Sequence, residues 1–475
     1  MSNIKVYVWS AVQRFGTQFV GLLGNVLIAN QLTPDDYGLI AMLSIIIGFA
    51  WNLTESGFAD GLIRKPNADD KDFGTIFTFT LAVAIILYGV IFLLAPYISS
   101  FFNRVELIEI CRVLGVTIII RTLTLIPIVK LRKELQFKTL AKINLTASII
   151  SVSISFAMAL MGYGYWALVA LTLSVGLVNL CMIFVMTKWR PTIFFGIQQF
   201  KELRAFSFHL MLSYFSNQLG KNLYAFLIGK FHPVYLLGLY NQAEKLKDAP
   251  ILGVNGVVLT TTYPLIAKET NEVKRFRMYE SVFNKLLFIH FVLCAFLIGG
   301  AYVIFDTVFN EKWMASVPLF RLMVLAFLFY PLRTLNLNIA KVYGLSKLYR
   351  NLTFLQNGIL VLALILTIKT DIYTILIGQI VSQWLVVVIT MLYCGAINEF
   401  RIFKQLKIVL IQIWLPFITM LLAWGSCYFV EQPLVALFVF SVTFLALFLS
   451  VNEITKPETY MNLKLKVMEV LKIKR

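Results

Sequence analysis

The chain has 475 residues, 59% of them hydrophobic and only 14% charged, with a mean hydropathy of +0.81. A soluble domain averages about 45–50% apolar and about 25% charged residues, so a soluble core would not absorb this much apolar surface and lipid must solvate much of it. The net charge of +18 is then first a matter of membrane topology, because cytoplasmic loops collect Lys and Arg, and it requires no nucleic-acid partner.

A helix needs about 20 apolar residues to cross the hydrocarbon core. Stretches of that kind run over roughly 6–30, 38–62, 74–97, 107–129, 139–161, 165–188, 206–230, 236–262, 279–304, 315–343, 351–369, 373–395, 408–429 and 434–451, predicting an all-α membrane protein of about fourteen transmembrane helices. The first of them, Val6 to Ala29, is too long for a signal-peptide core and lacks a small-residue cleavage site, so it reads as a helix that stays. Every second loop is basic: Arg64–Lys65, Lys130 to Lys138, Lys188 to Arg204, Lys268 to Arg277, Lys347/Arg350 and Arg401 to Lys407. The intervening loops hold little beyond Arg104, Lys312 and Lys369. This alternation predicts both termini in the cytoplasm. The outer loops are short, which disfavours a membrane polymerase or glycosyltransferase working outside.

Beyond Val451 the pattern changes. Thr455-Lys-Pro-Glu458 has the spacing of a capping box. Tyr460, Leu463, Val467 and Leu471 then share one face, with Lys464, Lys466, Lys472, Lys474 and Arg475 elsewhere, as in a helix drawn to anionic lipid.

Shifted by 200 residues, part of the chain matches itself without a gap. Phe15, Gln18, Leu23, Leu27, Ile28, Gly38 and Leu39 fall on Phe215, Gln218, Leu223, Leu227, Ile228, Gly238 and Leu239. Six helices separate the copies, so both run in the same direction. The expected organisation is two six-helix lobes, 1–200 and 201–400, related by a pseudo-two-fold axis. Helices 13–14 over 401–451 and a basic tail over 452–475 follow. Parallel repeats of this kind mark transporters whose site lies between the repeats.

Charges inside spans are costly and face cavities or one another. Arg14, Gln18, Gly21 and Asn25 share a face of the first helix, and Tyr214, Gln218 and Lys221 share the corresponding face of the seventh. Glu244, Lys245, Lys247 and Asp248 crowd one turn of the eighth helix, a turn after Tyr240 and Asn241. Arg333 and Asn336 lie on the tenth, Arg121 on the fourth and Glu55 on the second. These predict a cationic cavity of Arg14, Gln18, Asn25, Lys221, Tyr240, Lys245, Lys247 and Arg333 that takes an anionic substrate. Glu55, Glu244 and Asp248 are charge partners within it. The pattern is equally satisfied if Glu244, Lys245, Lys247 and Asp248 neutralise one another, if Arg14 pairs with Glu55, or if Arg121 snorkels to the inner interface.

No Walker loop, HExxH or GxSxG is present, and Gly162-Tyr-Gly164 is only a turn. Five cysteines and three histidines lie singly in apolar stretches or at their ends, so neither a metal site nor a cofactor is indicated. A transporter without ATPase motifs must draw on an ion gradient, the membrane potential or downstream consumption of its product.

Four stretches carry a family resemblance: Leu32-Thr-Pro-Asp-Asp-Tyr-Gly38, Leu237-Gly-Leu-Tyr-Asn-Gln-Ala-Glu-Lys-Leu246, Thr262-Tyr-Pro264 and the basic loop Lys130 to Lys138. Over nearly its whole length the chain resembles the polysaccharide-transport (Wzx-type) flippases of the multidrug/oligosaccharidyl-lipid/polysaccharide (MOP) superfamily. The resemblance implies movement of undecaprenyl-pyrophosphate-linked oligosaccharide units to the periplasmic leaflet by alternating access, for O-antigen lipopolysaccharide, capsule or exopolysaccharide. It also leaves room for coupling to H⁺ or Na⁺ and for contact with a polysaccharide polymerase. Lys and Arg suit the pyrophosphate, while Asn, Gln, Tyr and Trp suit the sugars. A MATE-like drug/ion antiporter and a lipid II flippase are the neighbouring alternatives. An antiporter is disfavoured because bases outnumber the few intramembrane acids, Glu55, Asp60, Glu244 and Asp248.

Overall fold

The computed structural model describes residues 3–470 apart from 56, 66, 188, 396, 398–399 and 428–429. Backbone alone is described for 3–7, 205–206, 209–210, 212–221, 257–265, 267–268, 346, 458, 466–467 and 469–470. The chain is all-α and divides into two units, Met1–Asn241 and Gln242–Arg475.

The first unit holds α1 (Asn3–Gln31), α2 (Pro34–Glu55), α3 (Phe58–Arg64), α4 (Asp70–Phe102), α5 (Leu107–Lys133), α6 (Phe137–Leu160), α7 (Trp166–Met186), α8 (Ile197–Phe231) and the start of α9 (Val234–Lys268). The second holds the rest of α9, α10 (Glu272–Val308), α11 (Ser316–Ala326), α12 (Tyr330–Val342), α13 (Ser346–Thr367), α14 (Ile372–Gly395), α15 (Ile402–Cys427), α16 (Pro433–Thr455) and α17 (Glu458–Val470). Among the described residues, 11 segments are long and apolar enough to cross a membrane, with α2–α3 and α11–α12 each forming one of them. The long helices α1, α8 and α9 occupy the positions of the expected first, seventh and eighth spans. The molecule is a multi-pass membrane protein. Leu93, Val185, Phe403 and Leu421 are among the many large apolar side chains that point outward, as lipid permits and water would not.

Two expected spans are broken. The stretch predicted as one helix over 38–62 stops at Glu55 and restarts at Phe58. Between them Gly57 has φ 83°, a left-handed conformation without penalty only for glycine. A Cβ there would lie 2.1 Å from the Ser207 carbonyl oxygen on α8. The stretch predicted over 315–343 breaks between Ala326 and Tyr330. Pro331 stands in the first turn of α12, where its missing N–H costs nothing.

The expected capping box at Thr455 does not form. Thr455 is the last residue of α16 and its hydroxyl donates backward to the Val451 carbonyl at 2.8 Å. Lys456 then turns left-handed, with φ 44°. In α17 Tyr460 is buried against Phe288 and Phe448, and its hydroxyl donates to Glu453 at 2.6 Å. This pushes the phenol up to about 12. The start of the tail helix is therefore docked on α10 and α16. Val467 and Leu471 lie outside the described side chains.

The repeat is visible locally. A Cβ on Gly38 would sit 2.3 Å from the Val234 carbonyl oxygen, and one on Gly238 would sit 1.7 Å from the Pro34 carbonyl oxygen. Residues 34 and 38 fall on 234 and 238 under the 200-residue shift, so the two hairpin copies meet reciprocally, each glycine admitting the other's backbone. The first hairpin is held by Thr33 and Asp36. The Thr33 N–H donates to the Asp36 carboxylate at 2.8 Å and the Asp36 N–H to the Thr33 hydroxyl at 3.4 Å. This is a capping box with Pro34 at the first helical position.

The basic loops α3–α4 and α5–α6 converge. Lys65 binds Asp72 at 2.8 Å and Glu202 at 2.9 Å, which raises its pKa. Lys130 binds Asp70 at 2.8 Å, and Lys133 caps the Leu62 and Lys65 carbonyls.

Candidate functional site

In the first unit, α1, α2, α3, α5, α6 and α7 enclose a polar cavity of about 630 Å³. Gln13, Trp51, Glu55, Asp60, Thr117, Arg121, Thr124, Arg132, Asn144, Thr172 and Asn179 contribute its polar lining. Glu55 stands at the last turn of α2, and α5 brings Arg121 across from it. The guanidinium grips the carboxylate with two hydrogen bonds, Nε at 2.5 Å and Nη2 at 3.1 Å. This two-pronged geometry is the strong form of the pair. The same guanidinium lies 4.1 Å from the centre of the Trp51 ring, a favourable placement over the π face. Trp51 Nε1 in turn donates to Thr117 Oγ1 at 3.2 Å. Trp51, Glu55, Thr117 and Arg121 thus form one connected wall. Asn179 Oδ1 is buried without a hydrogen-bond partner.

Glu55 therefore pairs with Arg121 and not with Arg14, and Arg121 is held inside the bundle rather than snorkelling. Arg14 has an exposed side chain, and its neighbour Gln13 lines the cavity. Asn25 accepts from the Tyr37 hydroxyl, at 3.4 Å on its carbonyl and 3.3 Å on its side chain. Gln18 is half-buried. The Lys221 side chain, with Tyr214 and Gln218, lies outside the described residues.

In the second unit the polar groups gather at the α11–α12 break. Lys247 is almost wholly buried: its side chain is 3% exposed. Its ammonium sits 2.9 Å from Asp248 Oδ1 and 3.7 Å from the centre of the Phe327 ring. Phe327 stacks on Tyr330 with ring centres 5.5 Å apart, and the Arg333 guanidinium lies 4.8 Å from the Tyr330 ring centre. Two cations thus bracket a pair of stacked rings. Arg333 Nη1 donates to Gln383 Oε1 at 2.9 Å, and its Nε is buried without a partner. Among the described residues no carboxylate lies within ion-pair distance of Arg333.

The carbonyls around the break are taken up by side chains. Trp384 Nε1 donates to the Leu325 carbonyl at 3.2 Å. His290 Nε2 is 3.0 Å from the Phe327 carbonyl, and its Nδ1 is 3.1 Å from Asn255 Nδ2. The Asn255 amide nitrogen also donates to Ile251 at 2.7 Å, which orients it. A carbonyl only accepts and an amide nitrogen only donates, so His290 is the neutral tautomer with its proton on Nε2. Its role is structural.

The remaining expected residues divide. Tyr240 is buried, Glu244 half-buried and Lys245 exposed. Asp248 holds Lys247, part of the mutual neutralisation that the turn's composition allows. Asn336 is occupied by a reciprocal amide pair with Gln405, at 2.8 and 3.2 Å. Trp51, Asn144, Asn179 and Gln13 were not expected. A lone amide in an apolar run has no spacing signal, and only its cost in lipid marks it. Among the described residues no group of three or more His, Cys, Asp or Glu could hold a metal ion.

Several known proteins are similar to this chain. The chain is 24% identical to the teichuronic acid biosynthesis protein TuaB of Bacillus subtilis, over 67% of this chain and 66% of that one. It is 22% identical to the lipopolysaccharide biosynthesis protein WzxC of Escherichia coli, over 66% and 65%. It is 20% identical to the succinoglycan biosynthesis transport protein ExoT of Rhizobium meliloti, over 56% and 54%. The matches span about two thirds or less of these relatives' lengths. Among solved structures, an inward-facing MATE-family multidrug-resistance transporter of the MOP superfamily superposes with a TM-score of 0.61 at 17% identity, covering 82% of this chain and 99% of that one. A Pyrococcus furiosus MOP-superfamily transporter, described as having a binding pocket of reversed polarity, gives 0.53 at 15% identity over 83% and 95%. These likenesses show a shared fold. The model of the family described as polysaccharide biosynthesis protein matches residues 27–318, more than half of the chain, and the chain belongs to that family.

Proposed function

We propose that the chain is a flippase that carries a polyprenyl-pyrophosphate-linked oligosaccharide, of the undecaprenyl class, across a bacterial inner membrane by alternating access. The unit would then be polymerised into lipopolysaccharide O-antigen, capsule or exopolysaccharide. The observation that carries this reading is Arg333 at the α11–α12 break, beside the Lys247–Asp248 ion pair. Arg333 sits within a span, across a pair of stacked aromatic rings from Lys247, where a charge is retained only for a strong reason. Arg333 lacks a carboxylate among the described residues, so an anionic headgroup would complete it. Broken helices of this kind recur at substrate sites of membrane carriers. The names of TuaB, WzxC and ExoT, in teichuronic acid, lipopolysaccharide and succinoglycan biosynthesis, support the substrate class.

In this reading both termini are cytoplasmic, which the alternation of basic loops supports. The lobes 1–200 and 201–400 are the moving parts of this alternating access, and Arg14, Gln18, Asn25, Lys221, Tyr240 and Lys245 serve the substrate with Lys247 and Arg333. Coupling to H⁺ or Na⁺ and contact with a polymerase belong to the same proposal. The MATE-like fold at 15–17% identity does not by itself favour drug export.

The test is deletion of the gene, with lipid-linked oligosaccharide and surface polysaccharide both quantified. The expected result is accumulation of complete units on the cytoplasmic face and loss of surface polymer, both reversed by the wild-type gene. Normal levels of both, in a strain without a second flippase, would overturn the proposal. Accumulation of lipid II instead would reassign the substrate.

A further inference from the structure

The cavity of the first unit does not have the character of the cationic break. Its ionisable lining is two carboxylates, Glu55 and Asp60, and two guanidiniums, Arg121 and Arg132, which sum to zero. Glu55 and Arg121 already saturate each other's inner faces. A pyrophosphate seeks an excess of donors and positive charge and finds none here. What the cavity offers instead is uncharged polar chemistry on several helices: Gln13 on α1, Asn144 on α6, Thr172 and Asn179 on α7. A carboxamide presents a donor and an acceptor side by side, matching the hydroxyls of a sugar, each of which also donates and accepts. Asn179 Oδ1 is buried without a partner. Such an acceptor is costly to leave empty and calls for an O–H or N–H from a ligand or water. At about 630 Å³ the space is that of a small-molecule pocket rather than an ion site.

We infer that this cavity, enclosed by α1–α3 and α5–α7, is a subsite for uncharged sugar rings of the substrate and not for its pyrophosphate. The inference rests on the flippase reading for the identity of the sugar and deepens it. Substitutions in the cavity then alter which oligosaccharide is accepted and leave pyrophosphate recognition intact.

The experiment uses the purified full-length protein in lipid nanodiscs and two soluble probes: the free, unphosphorylated repeat oligosaccharide of the host strain, and inorganic pyrophosphate. Asn179→Leu is expected to weaken oligosaccharide binding about fivefold or more and to leave pyrophosphate binding within twofold. Retained pyrophosphate binding also reports that the variant is folded. If Asn179→Leu loses both probes, Asn144→Leu, on a different helix, carries the same test. Unchanged oligosaccharide affinity in a folded variant, or loss of pyrophosphate binding alone, overturns the subsite. Failure of the flippase reading looks different. There the deletion strain keeps normal lipid-linked oligosaccharide and surface polymer, whatever the cavity variants bind. If deletion causes accumulation but Asn179→Leu and Asn144→Leu restore wild-type polymer of unchanged composition, only the sugar subsite fails.

Discussion

The two units solve the same problem, an arginine within an apolar bundle, in opposite ways. In the first, Arg121 is neutralised by a two-pronged carboxylate on the neighbouring helix and lies over Trp51. In the second, Arg333 is held by an amide oxygen and an aromatic face, with its Nε left over. A neutralised cation stabilises a wall; a cation held only by dipoles and π faces keeps most of its charge for something else. The difference teaches that counting Lys and Arg in spans overstates a binding site. What matters is which of them lacks an acid among the described residues, and on that ground Arg333 separates from Arg121.

The largest expected effect breaks the comparison at Arg333. Arg333→Gln keeps the hydrogen-bonding size but removes the charge. It should lower complementation of a deletion strain about 10–100-fold, the usual range for one charge-assisted contact of ~1.5–3 kcal/mol. Protein level, followed by immunoblot, should stay normal. Next is the Glu55–Arg121 pair. Either single alanine variant leaves an uncompensated charge and should lower thermal stability, and the double variant should recover part of the loss. The side chains are 26% and 39% exposed, so the coupling in a double-mutant cycle should fall near ~1–2 kcal/mol, below the ~3–5 kcal/mol of a fully buried pair. A purely additive cycle would show that the wall is not a unit. The smallest effect is Trp384→Phe. It strips the donor from the Leu325 carbonyl at the helix break and should cost about 1 kcal/mol of stability. Transport should slow mildly if the break positions Arg333, and remain unchanged if it does not.

How much of this was legible before the structure follows from what each residue signals alone. Hydropathy reports how long a segment stays apolar, so the spans were visible, as was the alternation of basic loops. Gly38 and Gly238 were visible as a repeated pair, and their meeting explains why both copies keep glycine. Periodicity places Glu55 on a face of α2 but does not name the helix opposite. The sequence therefore offered Arg14 as its partner, and packing chose Arg121 instead. The break at Phe327 had a signal in Pro331, which a hydropathy window averages away. Asn144 and Asn179 had none beyond being amides among apolar neighbours. They share a cavity because α6 and α7 bring them there.

The central claim, that the chain moves a lipid-linked oligosaccharide and does so through a cation at the helix break, is tested most directly in proteoliposomes. The purified protein is reconstituted with polyprenyl-pyrophosphate oligosaccharide, and the fraction of sugar accessible to an external glycosidase is followed in time. The account predicts that wild-type protein renders the protected inner-leaflet pool accessible far faster than protein-free vesicles do, while Arg333→Gln stays near the protein-free rate. A wild-type rate equal to that of empty vesicles, under any imposed ion gradient, would contradict it.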